Sequence, residues 1–125
     1  MWELWMYEYR CKLIKVIDGD TIDVCIDLGF KITIANERVR LLGIDTPESR
    51  TRNKEEKVLG LAAKARLKEL LPKKFIIKTF KEEKGKFGRV LGVPFVDSVD
   101  ICQQLIKEGH AREYTGGKKK PWIVM

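Results

Sequence analysis

With 125 residues and 14.5 kDa, the chain has room for one domain built on one hydrophobic core. Its 44% hydrophobic and 34% charged residues exclude a disordered or low-complexity polymer, and no apolar run approaches the ~18 residues that a membrane span needs. The net charge of +7 is uneven: residues 1–48 hold 6 basic against 9 acidic side chains, residues 49–74 hold 9 against 3, and residues 75–125 hold 10 against 6.

An acidic first third inside a basic remainder suggests carboxylates gathered for a hard cation in a field that attracts anions; ordinary surface charge is the alternative. Cys11, Cys25 and Cys102 form no CxxC pair, and His110 is the single histidine. That excludes a zinc finger and points to buried thiols in a reducing compartment. The start carries acids and no basic leader, so a cytoplasmic or virus-encoded protein is expected.

In chain order, residues 7–13 alternate, with Tyr7, Tyr9, Cys11 and Leu13 on one face, and Ile14, Val16 and Ile17 extend that strand. Asp18-Gly19 is a turn signal, after which Ile22, Val24 and Ile26 mark a second strand. Gly29 turns the chain, and Phe30, Ile32 and Ile34 begin a third strand that residues 38–44 can continue. Residues 49–54 read as a basic loop. Residues 55–71 form the long helix, its core stripe being Leu59, Ala63, Leu67 and Leu70 with Ala62 beside them, and Pro72 ends it. Two more strands follow over 75–80 and 89–96, where Pro94 implies an edge or a bulge. Ser98 or Asp100 can cap a short helix carrying Ile101, Leu105 and Ile106, closed by Gly109. The fold expected for residues 1–125 is mainly β (α+β): a five-stranded OB-fold barrel with a helix between strands three and four and a short helix after strand five. A small α+β sandwich would leave a similar pattern.

Two acidic clusters stand at strand ends: Asp18-Gly19-Asp20-Thr21 and Asp45-Thr46-Pro47-Glu48. Magnesium and calcium take oxygen ligands, and calcium accepts irregular mixtures of carboxylate, carbonyl and water. Two carboxylates from different strand ends plus a carbonyl would supply such a mixture. Taken singly, each cluster is also an ordinary turn. Arg40, amid Val39, Leu41 and Leu42, needs an anionic partner if buried, either a protein carboxylate or a ligand phosphate. Arg89, after Gly85-Lys86-Phe87-Gly88, is a second such candidate, with a solvated hairpin end as the alternative.

Val16-Ile17-Asp18-Gly19-Asp20-Thr21, then Arg40-Leu41-Leu42-Gly43-Ile44-Asp45-Thr46-Pro47-Glu48, then Lys86-Phe87-Gly88-Arg89 resemble, in order and spacing, the three signature blocks of the staphylococcal nuclease family. The resemblance covers about residues 7–115. It implies a calcium-dependent phosphodiesterase that hydrolyses DNA and RNA with little sequence specificity and leaves 3′-phosphates. Carried over, Asp20 and Asp45 would ligate calcium through carboxylates and Thr46 through its carbonyl. Glu48 would position or deprotonate the attacking water, and Arg40 and Arg89 would grip the scissile phosphate. Lys86 and Tyr114 would contact substrate; the family's second tyrosine has no counterpart.

DNA and RNA are the expected partners, without membrane association, and the expected state is a monomer. Lys118, Lys119 and Lys120 offer further phosphate contacts. A non-catalytic nucleic-acid-binding OB-fold module is the competing reading. The presence of Asp20, Arg40, Asp45, Glu48 and Arg89 together disfavours it. A protein-interaction domain whose acidic turns are only turns leaves Arg40 and Arg89 unexplained.

Overall fold

Residues 7–81, 90–114 and Trp122 are described by the computed structural model. In chain order they form β1 (Tyr7–Asp18), β2 (Thr21–Gly29), β3 (Ile32–Leu41), β4 (Ile44–Asp45), α1 (Lys54–Leu70), β5 (Lys74–Lys81), β6 (Val90–Val96), β7 (Val99–Asp100), α2 (Ile101–Lys107) and β8 (Arg112–Glu113).

The five long strands close on themselves. Their order is β3-β2-β1-β5-β6, antiparallel throughout, and β6 returns to β3 in a parallel pairing of Val39 with Val90 through Leu41 with Gly92. This ring, with α1 between its third and fourth strands, is the expected OB-type order. The core is the inner face of the ring: Ile22, Val24, Ile26, Val39, Leu41 and Ile77 are all buried. Ile22, Val24 and Ile26 alternate inward as their period requires. In β1 the alternation changes phase. Register shifts between Leu13 and Lys15, and between Val16 and Asp18, bury Val16 and Ile17 together while Ile14 stays exposed. Pro94 falls where the β3 ladder has ended, at Gly92, and the β7 ladder has yet to begin, at Phe95. Its missing N–H therefore costs no bond on that side, as the edge reading requires.

Two sequence readings are corrected. Phe30 does not enter a strand. It sits in the β2–β3 turn, 97% exposed, because the Gly29–Ile32 pair closes the hairpin around it. The core stripe of α1 is also displaced: Gly60, Ala63 and Leu67 are buried, whereas Leu59 is 43% exposed and Ala62 faces solvent. The cause is backbone proximity. A Cβ at Gly60 would lie 2.2 Å from the Glu48 carbonyl oxygen, so the helix is pressed onto the loop after β4 along its glycine. Asn53 caps α1 by accepting the Glu55 and Glu56 N–H groups, both at 3.0 Å, and Asp100 caps α2 through the Gln103 N–H.

All three thiols are free, with Cys11 and Cys102 buried and Cys25 half-buried. Burial, with the nearby Cys25 thiol adding to it, pushes the Cys11 thiol up to about 12. Burial raises Cys102 as well.

Arg66 on α1 and Glu108 at the end of α2 join the two helices through a forked pair, Nε–Oε1 2.6 Å and Nη2–Oε2 2.8 Å, to which Gln104 adds a third donor. The Arg66 and Gln104 bonds hold the Glu108 carboxyl at about 2, below its ordinary 4.5. A depressed carboxyl contributes stability above its unfolded value and loses it as pH falls through the folded one. Glu108→Gln should therefore melt below the parent at neutral pH, with the gap closing between about pH 4.5 and pH 2. Thermal melts of both proteins across that range check this, and a constant gap would contradict it.

Candidate active site

The β1–β2 turn delivers the first acidic cluster and the chain after β3 delivers the second. Asp20, 8% exposed, accepts the Thr46 N–H at 3.2 Å through Oδ2 and the Thr21 hydroxyl at 3.1 Å through Oδ1. Asp45 is 2% exposed and directly precedes Thr46. The Asp20 carboxylate thus ties the β1–β2 turn to the Thr46 backbone, one residue beyond the buried Asp45. A Cβ at Gly19 would be 2.8 Å from that of Ala63 on α1 and 3.0 Å from the Thr46 hydroxyl, so glycine lets the turn seat against both.

Arg40 finds protein partners. Nη1 donates to the Leu41 carbonyl at 2.9 Å and the Asp20 carbonyl at 3.4 Å, Nη2 to the Ile44 carbonyl at 2.9 Å, and Nη2 lies 3.5 Å from Asp20 Oδ2. The guanidinium therefore staples the β3–β4 turn to the β1–β2 turn and offsets the buried Asp20 charge.

Asp45 is held from the far end of the chain. Its Oδ2 accepts Arg112 Nε at 3.2 Å, Arg112 Nη2 at 2.9 Å and Trp122 Nε1 at 3.2 Å, while the Arg112 guanidinium stacks 4.0 Å over the Trp122 ring. The two-residue ladder of β4 with β8 sets Arg112 opposite Asp45. Neither Arg112 nor Trp122 was evident as a site residue in the sequence. The pairing spans 67 positions, and two-residue strands carry no readable period. Asp18 accepts the Ser49 hydroxyl and pairs with Arg50 at 3.6 Å, which ties the turn to the chain beyond Glu48.

Glu48 has a fixed backbone and an open side chain. Its N–H donates to Glu56 Oε2 on α1 at 3.0 Å, and its carbonyl rests on Gly60 one helical turn further on. The carboxylate is exposed and makes no hydrogen bond or ion pair among the described residues. Tyr114 donates its N–H to the Gly43 carbonyl at 2.9 Å, which brings it beside the same turn. Arg89 and Lys86, like Lys118, Lys119 and Lys120, lie outside the described residues.

Buried carboxylates and a hydroxyl form an all-oxygen donor set, which suits a hard cation. Thr46 Oγ1 is buried with no hydrogen-bond partner, the only such side-chain atom among the described residues. Among those residues no group of three or more His, Cys, Asp or Glu side chains converges as a metal site. A cation here would complete its shell with backbone carbonyl and water.

The ring order defines a small OB-type domain whose two acidic turns are joined through Asp20 and Thr46. The chain belongs to the family described as staphylococcal nuclease homologues, whose model matches residues 38–121. It is 35% identical over 106 residues to a thermonuclease of Staphylococcus hyicus, covering 84% of this chain and 59% of that protein. It is 37% identical over 100 residues to the endonuclease YncB of Bacillus subtilis, covering 78% and 44%. An uncharacterized protein of Methanocaldococcus jannaschii is 32% identical over 129 residues, covering 85% and 59%. The chain thus spans about half the length of these curated relatives. Among the described residues no helix is long and apolar enough to cross a membrane.

Proposed function

We propose that the protein is a calcium-dependent phosphodiesterase that hydrolyses DNA and RNA with little sequence specificity and leaves 3′-phosphates. The observation that carries the reading is the bond from the Thr46 N–H to buried Asp20, between buried Asp45 and a Glu48 whose backbone is clamped and whose exposed carboxylate is unpaired among the described residues. Asp20, Asp45 and the Thr46 carbonyl would hold the calcium ion. When bound, that ion supplies positive charge against the phosphate oxygens.

The chain's own residues do the rest. Glu48 orients the attacking water and takes its proton, a task that needs an accessible carboxylate on a rigid backbone. Arg40 brings a positive charge to the scissile phosphate from a position fixed by three carbonyls. Arg89 and Lys86 contribute further charge on the strength of their block in the sequence, and Tyr114 contacts the nucleotide. One observation favours a second reading, a non-catalytic nucleic-acid-binding module: both Asp20 and Asp45 already meet a guanidinium.

Plasmid DNA and single-stranded RNA, incubated with calcium or with excess chelator, separate the two. Cleavage should require calcium, and Glu48→Gln should lower turnover by about 10²-fold or more with little change in melting temperature or substrate affinity. Calcium-independent binding without cleavage by the parent would establish the module instead.

A further inference from the structure

The outer face of the ring carries a feature that the cleavage centre does not use. A groove of about 690 Å³ runs across β1, β2 and β5, beneath the β2–β3 turn. Its floor follows from register: Lys12 stands between Cys25 and Lys74, and Arg10 between Asp27 and Ile76, in rows alternate to the buried row of Cys11, Ile26 and Phe75. Lys31 completes the basic lining. The one acid, Asp27, has Oδ1 committed to the Gly29 N–H at 2.8 Å. From Lys12 to Asp18, the cleavage end of β1, is about 20 Å along the strand.

Phe30 overhangs this groove and breaks a local rule. Gly29, Phe30 and Lys31 have φ of 87°, 54° and 67°, so a bulky aromatic residue occupies left-handed backbone that favours Gly, Asn or Asp. At the β6–β7 hairpin the position equivalent to Phe30, at 51°, is held by Asp97, as the rule requires. Phe30 is 97% exposed, so no packing offsets the strain. A strained, fully solvated ring beside four cations meets two requirements of single-stranded nucleic-acid binding, a face for base stacking and a basic track for the backbone.

We propose that this groove is a second nucleic-acid site, which takes an unpaired stretch of polynucleotide about 20 Å from the cleavage centre, with its phosphates on Arg10, Lys12, Lys31 and Lys74 and a base on Phe30. The choice of polymer rests on the nuclease reading; the groove and its charge do not. OB-fold sites span about 4–16 nucleotides, so one strand can engage both ends of the molecule.

The probe is a labelled single-stranded oligothymidylate of about 20 nucleotides, titrated in chelator across a salt series. Removing three phosphate contacts in the triple variant Lys12→Ala, Lys31→Ala, Lys74→Ala should reduce the log–log salt slope by about 2. Phe30→Asn should weaken binding by about 5- to 150-fold, the loss of one stacked base, and leave the slope unchanged. It should also raise the melting temperature by about 2–4 °C, because asparagine tolerates the left-handed turn. A merely structural Phe30 would lower it and spare affinity.

Parent affinity and slope in the triple variant would overturn the proposal. So would oligonucleotide binding unchanged in variants that lose binding to phosphatidylserine vesicles, which would assign the groove to a membrane surface. The assay needs no cleavage. A chain that binds through the groove and never cuts would end the nuclease reading alone, and a chain that cuts while its groove variants bind like the parent would end this one alone.

Discussion

Gly60→Ala should lower stability by about 2–3 kcal/mol and the melting temperature by about 8–11 °C, against the direction that helix propensity dictates. In an exposed helix the change would favour folding by about 1 kcal/mol. Here the new Cβ would lie 2.2 Å from the Glu48 oxygen, 2.4 Å from its carbonyl carbon and 2.6 Å from the Ser49 nitrogen. All three are backbone atoms, which cannot rotate away as a side chain would. Either α1 lifts from the ring or the loop moves, and the loop carries Glu48. With Glu48 in its proposed role, turnover should therefore fall about 10²-fold, the scale of an ångström's misplacement of a catalytic group. Thermal melts and steady-state kinetics of the one variant test both halves. A raised melting temperature would show that the loop gives way freely and that Gly60 does not hold it.

Arg112→Ala should be comparably costly, on the order of 3 kcal/mol, because it removes two donors and a positive charge from a carboxylate that is 2% exposed. Arg112→Lys keeps the charge and loses the forked geometry, so it should fall between parent and alanine. Adding Asp45→Asn to Arg112→Ala should recover much of the loss, since the buried charge is then gone. Calcium gives the readout that a purely structural ion pair would not move. A cation bound at Asp45 replaces the missing guanidinium charge, so calcium should raise the melting temperature of Arg112→Ala more than that of the parent. Equal calcium shifts in both proteins would remove Asp45 from the proposed metal site.

The long strands were legible because their period survives in the residues: Ile22, Val24 and Ile26 can face only one way. The contact between the two acidic turns was legible for a different reason, since both stand at strand ends that a closed ring brings together. Features made by contact between distant segments left no local trace. The α1 stripe was misplaced because the sequence shows which residues are apolar, and Gly60 is chosen for having nothing to pack. Phe30 was misread as a strand residue because its hydrophobicity fits the period while its backbone does not. Arg112 and Trp122 reach Asp45 over 67 and 77 positions. Asn53, in contrast, stands where a cap is expected, ahead of Glu55 and Glu56, and could have been read directly.

The parallel pairing that closes the ring has a kinetic consequence. β1, β2 and β3 meet through adjacent hairpins, whose loops close within microseconds, whereas Val39 meets Val90 only after some fifty intervening residues have been ordered. Chain entropy therefore places the three-stranded meander early in folding and the β3–β6 seam late. The turn held by Arg40 borders that seam, and Asp45 waits on a still longer connection to Arg112. The joined acidic turns are thus among the last regions to assemble. In native-state hydrogen exchange, the amides of residues 39–46 should open at lower free energy than those of the β1–β2 hairpin.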